Sequence, residues 1–156
     1  MVDEQPENQL VRLPLRVTEK PEATDVERAI VFTGLYAFNR QHVSPWAYPR
    51  PLTILLCDLM GNIQGGLLGV TRWDWLLIDT LWIVEMYRGF GYGRGILEQA
   101  EAVARARGCC HSALDTTEFQ AKAFYEKCGY HVFGELADFP PGWRTYYLTK
   151  TLEVAS

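Results

Sequence analysis

Between Arg88 and Arg94 the chain reads Arg-Gly-Phe-Gly-Tyr-Gly-Arg. Three glycines and two guanidinium groups in so short a run suit the binding of a bulky anion. Ahead of it, Ile78 to Val84 is apolar, β-branched and aromatic, the composition of a buried strand. From Arg94 the period turns helical. Ile96, Leu97, Ala100, Val103 and Ala104 share one face, with Glu98, Glu101, Arg105 and Arg107 outside it. The stretch is therefore strand, glycine turn, helix. The first turn of such a helix offers unpaired N–H groups and the positive end of its dipole. Glycines let that main chain approach an anion without Cβ clashes. The expected ligand group is a phosphate or diphosphate.

Two common phosphate loops do not fit. No Gly-Lys-Ser or Gly-Lys-Thr opens the helix, and in a G-x-G-x-x-G frame starting at Gly89 the third glycine falls on Arg94. What remains is R-x-x-G-x-G on Arg88, Gly91 and Gly93. A second pattern, A-x-x-F-Y-x-x-x-G-Y, runs from Ala121 to Tyr130, one helix and one strand further on. Together the two motifs resemble the GNAT superfamily of acetyl-CoA-dependent N-acetyltransferases, over about residues 10 to 152.

The resemblance implies acyl transfer from acetyl-CoA to an amine. The main chain of Gly89, Phe90, Gly91, Tyr92, Gly93 and Arg94 would hold the coenzyme diphosphate, with Arg88 and Arg94 adding charge. The pantetheine arm carries amides and can pair with an exposed strand edge. The strand ending in Trp82, Ile83 and Val84 leads into the turn and is the expected partner. An N–H near Ile83 or Val84 would also meet the oxyanion of the attacked thioester. Tyr125 stands at the position of the family's general acid, and a phenol with a pKa of ~10 keeps a proton to donate at neutral pH. Many members carry Asn near the start of this second helix. Here the neighbourhood is Thr117-Glu118-Phe119-Gln120, and Gln120 offers a comparable amide. Glu85 stands where members often have proline.

The attacking amine must be neutral, so a base is required. Asp79 is the lone carboxylate within Trp-Leu-Leu-Ile-Asp-Thr-Leu-Trp-Ile-Val. Left unpaired in a core it is costly, so it must face a cleft or find a partner. Asp79 is the first candidate for the base, with Asp115 and Glu85 as rivals. Aromatics on two segments, Phe38, His42, Trp46 and Tyr48, then Phe139, Trp143 and Tyr146, would border the acceptor pocket or serve the core.

Composition bounds these readings. A chain of 156 residues suits one core, and a net charge of −4 argues against a nucleic-acid binder. No apolar run approaches the ~20 residues that span a bilayer. The acidic start, MVDEQPENQL, reads as neither signal nor transit peptide, so a cytoplasmic location is expected, with no membrane partner. Cys57, Cys109, Cys110 and Cys128 have no metal-ligand spacing with His42, His111 and His131, so no metal site is expected.

The elements that must position these groups follow in order. Residues 1–9 read as a disordered lead-in and 10–152 as the transferase domain. A strand is expected over 10–17, a helix over 23–40, and an ordered loop over 41–51. Strands follow over 52–59, 65–72 and 76–84, with turns at 60–62 and 73–75. After the central helix, stopped by Gly108, come a strand over 111–116, a helix over 119–127, and strands over 130–136 and 145–152. This order, β-α-(loop)-β-β-β-α-β-α-β-β, is α/β: a mixed central sheet flanked by helices. The expected activity is acetyl transfer to a primary amine of a small molecule, by direct attack in a ternary complex. A protein lysine or N-terminal amine as acceptor, or a non-catalytic acyl-CoA sensor, are the alternatives. The resemblance also allows a homodimer.

Overall fold

The computed structural model describes residues 15–43 and 48–153. The lead-in over 1–9, most of the strand expected over 10–17, and Trp46 lie outside the described residues, and 15–17 form no regular element. The chain divides into two units, 1–46 and 47–156.

In the first unit, helix α1 spans Asp25–Asn39. Its start is a capping box. The Thr24 hydroxyl accepts from the Glu27 N–H at 3.3 Å, and the Glu27 carboxylate accepts from the Thr24 N–H at 2.8 Å. Two otherwise orphaned donors are thereby satisfied. Lys20 adds an ion pair to Glu27 at 2.6 Å, and these contacts hold the Glu27 carboxyl below its usual range.

The second unit is a six-stranded sheet with two helices. The strands are β1 (Arg50–Cys57), β2 (Ile63–Arg72), β3 (Trp75–Ile83), β4 (His111–Thr117), β5 (His131–Ala137) and β6 (Arg144–Thr151), in the spatial order β1-β2-β3-β4-β6-β5. Helix α2 spans Tyr92–Ala106 and α3 spans Lys122–Lys127. Among the described strands only β3 and β4 pair in parallel; the other neighbours are antiparallel. The mixed α/β sheet expected from the sequence is what the structure shows. A 3-10 turn at Glu85–Tyr87, not expected, joins β3 to the glycine run.

The core lies where α2 packs on the sheet. Ile96, Leu97, Ala100 and Ala104 are buried with Leu67, Leu76, Ile78, Ile83, Leu114 and Leu148. The apolar stripe read from the sequence is thus the inward face. One expectation fails: Glu101 is not outside it but 3 % exposed. Its carboxylate accepts from Lys150 Nζ at 2.7 and 2.8 Å and from the Tyr130 hydroxyl at 3.2 Å, and the Tyr130 oxygen in turn accepts from the Ser112 hydroxyl at 2.8 Å. A buried carboxylate is tolerable when paired and hydrogen-bonded. Its partner comes from β6, 49 residues away in sequence, where helical periodicity gives no warning. Burial also pushes the Tyr130 phenol well above its ordinary range.

Two irregularities shape the site. Between β2 and β3 the register runs Leu68↔Thr80 and then Gly69↔Ile78, so Asp79 is an extra residue in a β-bulge. Gly69 permits the close approach there, because a Cβ on it would lie 2.5 Å from the Leu77 carbonyl oxygen. A bulge bends its strand and increases the local twist. The second irregularity follows on the other edge: β3 and β4 pair only from Trp75↔His111 to Ile78↔Leu114, then part. No described helix is long and apolar enough to cross a membrane.

Candidate active site

Where β3 and β4 separate, a cleft of about 790 Å³ opens. Its walls are β3 from Ile78 to Ile83, the end of β4 from Leu114 to Thr116, the glycine turn, and the segment from Phe119 to Tyr125. Of the residues singled out in the sequence, the structure brings together Asp79, Trp82, Ile83, Arg88, Gly89, Gly91, Gly93, Arg94, Gln120 and Tyr125.

The glycine turn leaves its main chain open toward the cleft. Gly89 and Gly91 have φ of +82° and +86°, a region glycine enters without Cβ penalty. Gly91 is the N-cap of α2 and no side chain caps the helix. The first hydrogen bond into the helix is Gly95 N–H to Gly91 O at 3.0 Å. The N–H groups from Gly89 to Arg94 have no protein acceptor among the described residues. Gly93 lies close against its neighbours: a Cβ there would come within 3.4 Å of the Phe124 ring. Arg88 Nε donates to the Ile83 carbonyl at 2.8 Å, bracing the turn on β3, and Arg94 Nη2 donates to the Lys127 carbonyl at 3.2 Å, closing α3.

Three expected binding residues are placed differently. The side chains of Phe90 and Tyr92 line a separate shallow groove with Leu55, Leu56 and Ile96, so only their main-chain N–H groups serve the turn. Val84 does not line the cleft, and its N–H is spent on the Gln64 carbonyl at 2.9 Å. Antiparallel pairing alternates, so if Val84 faces β2, Ile83 and Leu81 turn their main-chain groups away from it. The open donor at this end of β3 is therefore Ile83 N–H, consistent with the Ile83 carbonyl facing Arg88.

Tyr125 is 6 % exposed and reaches the cleft, and its hydroxyl has no hydrogen-bond partner among the described residues. Its pKa is pushed up to about 12, chiefly by burial, then by Cys128 and Asp115. The phenol therefore stays protonated and remains a donor at neutral pH. Gln120 Oε1 accepts from Thr117 N–H at 2.9 Å and sits 3.3 Å from Thr116 Oγ1. Its carbonyl end is engaged in the turn before α3, and its amide N–H₂ has no acceptor among the described residues.

Among the three candidate carboxylates, Asp79 and Asp115 line the cleft and are exposed, while Glu85 lies on the 3-10 turn outside it. Sequence reasoning passed over Phe119, Thr116 and Phe124 as lining residues. Phe119 packs edge-on against Trp143 with centroids 5.0 Å apart. The alternation of β4 past Leu114 was the signal available for Thr116. Phe38 and His42 belong to the first unit, where their rings lie 4.7 Å apart.

Comparison with known proteins places this geometry. Residues 19–130 match the model of the acetyltransferase (GNAT) family. The chain is 38 % identical over 113 residues to a blasticidin-S acetyltransferase of Streptomyces morookaense, covering 70 % of this chain and 83 % of that protein. It is 34 % identical over 101 residues to an acetyltransferase of Agrobacterium fabrum, covering 65 % and 74 %. A crystal structure of an acetyltransferase from Bacillus cereus superposes with a TM-score of 0.78 at 28 % identity, over 86 % of this chain and 98 % of that one.

Proposed function

The chain belongs to the GNAT acetyltransferase family, and on that premise we propose that it moves an acetyl group from acetyl-CoA to a primary amine of a small molecule, by direct attack in a ternary complex. Acetyl-CoA supplies an activated thioester. One observation carries the reading: a run of unpartnered N–H groups, Gly89 to Arg94, opens onto the same cleft as the free donors Ile83 N–H and Tyr125 hydroxyl.

The residues divide the work by position. The cradle N–H groups and the Arg88 and Arg94 guanidiniums hold the diphosphate at the end of the cleft formed by α2. The open edge of β3 at Leu81 and Ile83 aligns the amide-bearing arm, with the Gln120 amide on the opposite wall. Ile83 N–H donates to the oxygen that gains charge as the carbonyl is attacked. Asp79, on the bulge, takes the proton from the incoming ammonium so that its lone pair is free. Tyr125 returns a proton to the leaving sulfur. The new C–N bond replaces C–S; the nitrogen sheds its second proton, which restores the Tyr125 phenol, and Asp79 releases the first to solvent, so amide, thiol and one proton leave the cleft.

Support for a small acceptor comes from the relative in Streptomyces morookaense, whose name gives it a small-molecule substrate. The test is acetyl-CoA turnover, read as free thiol, against a panel of primary amines headed by blasticidin S and including lysine-bearing peptides. Turnover of small amines in preference to peptides is expected. Preference for the peptides would overturn the small-molecule part, and absence of both turnover and acetyl-CoA binding would overturn the whole.

A further inference from the structure

Building on the acetyl transfer proposed above, we infer that the acceptor is a dication, its reacting ammonium held by Asp79 and a second cationic group held by Asp115. Ile78 and Leu114 form the last rung of the β3–β4 ladder and are both buried. The residues that follow them, Asp79 and Asp115, stand at equivalent places on two strands whose backbones are roughly 4.8 Å apart where paired and wider beyond. Both carboxylates line the cleft. Neither has a salt bridge or hydrogen bond among the described residues. Like charges side by side on neighbouring strands repel and destabilise a sheet, so a pair left unpaired at a cleft mouth is suited to a cation from solution.

One ammonium does not balance this pair. After it gives its proton to Asp79, the Asp115 charge is still uncompensated. The protein's own cations in the cleft stand at the other end: Arg88 is tied to the Ile83 carbonyl and Arg94 to the Lys127 carbonyl. A second observation marks the carboxylate end as a ligand site. Tyr125, 94 % buried by its 6 % exposure, brings a hydroxyl without a partner among the described residues into the same cleft. Phe119, four residues on from Asp115, adds an aromatic wall against which a cation is favoured. The cleft is thus basic where the diphosphate is proposed and acidic where the acceptor enters.

The experiment titrates the CoA-loaded enzyme with putrescine and with butylamine, which match in length but differ by one charge, and then measures acetylation of both. Putrescine is expected to bind and react about tenfold better, an advantage that shrinks as salt rises. Asp115→Asn is expected to bring the two amines to parity, Asp115→Glu to restore part of the difference, and acetyl-CoA affinity to stay at its original value in both variants. That last measurement guards against a variant that has lost its fold. Equal handling of the two amines by the unaltered enzyme, or an undiminished preference in Asp115→Asn, overturns the dication while leaving acetyl transfer standing. Failure to bind acetyl-CoA or turn over either amine removes the transferase reading and the dication with it.

Discussion

Ile78 lies opposite Leu114 in the last rung of the parallel ladder between β3 and β4. Everything proposed for the cleft depends on the pairing ending there. Asp79, the extra residue of the bulge with β2, immediately follows. A bulged strand twists more strongly than a regular one, and here the added twist coincides with the loss of the β4 partner. The edge of β3 from Asp79 to Ile83 is consequently free to pair with something other than protein.

Gly91 tests the cradle. Its φ of +86° suits glycine, and a Cβ there would meet no atom within 4 Å. Replacing it by alanine therefore introduces no clash and costs only the left-handed backbone, about 1–2 kcal/mol. Relaxing that strain rotates the N–H groups of the turn. Gly91→Ala is expected to weaken acetyl-CoA binding about tenfold, measured by calorimetry. Gly95→Ala, inside α2 and also with open space around its Cβ position, is the control that should leave affinity unchanged. Equal effects from the two substitutions would argue against the cradle.

The glycine turn was legible in the sequence because left-handed backbone is a demand that one residue type meets cheaply, and the spacing of Arg88, Gly91 and Gly93 carried it. Asp79 was legible for a similar reason: a carboxylate in an apolar strand needs an explanation. Less could be read where the answer depended on pairing between distant segments. Whether Ile83 or Val84 presents its N–H to the cleft is a matter of register against Gln64 and Gly65, which no local pattern sets. The bulge itself appears only in the offset between Leu68 and Gly69. Glu101 was misplaced because its partner, Lys150, lies on the last strand.

Lys150 and Glu101 give a prediction about stability. Glu101 is 3 % exposed and holds Lys150 Nζ at 2.7 Å, with Arg105 more distant at 3.7 Å. Removing one partner of a buried pair leaves a charge without compensation, at a cost of about 3–5 kcal/mol. Lys150→Met should lower the urea midpoint by that equivalent with an unchanged slope. Adding Glu101→Gln should recover part of the loss, since the stranded charge is gone. If the single and double variants unfold at the same denaturant concentration, the pair is not coupled as the geometry implies.

Tyr125 offers the sharpest test of chemistry. The side chain is 6 % exposed, its ring packs against Phe124 and Tyr130 with centroids 5.1 and 5.9 Å apart, and its hydroxyl makes no hydrogen bond among the described residues. Tyr125→Phe keeps the packing and removes only the donor. If that donor protonates the leaving thiolate, kcat should fall by about a hundredfold or more, with acetyl-CoA affinity little changed. The pH dependence carries a second mark. With its pKa pushed up to about 12, the folded phenol keeps its proton across the working range, so no basic limb below about pH 11 should come from this group. Linkage has a definite sign. The unfolded phenol ionises near ~10, so this burial contributes stability fully below that pH and loses it as pH rises toward 12. Tyr125→Phe should remove that alkaline loss of stability while slowing turnover at pH 7. A variant that turns over at the original rate would assign Tyr125 to the core alone.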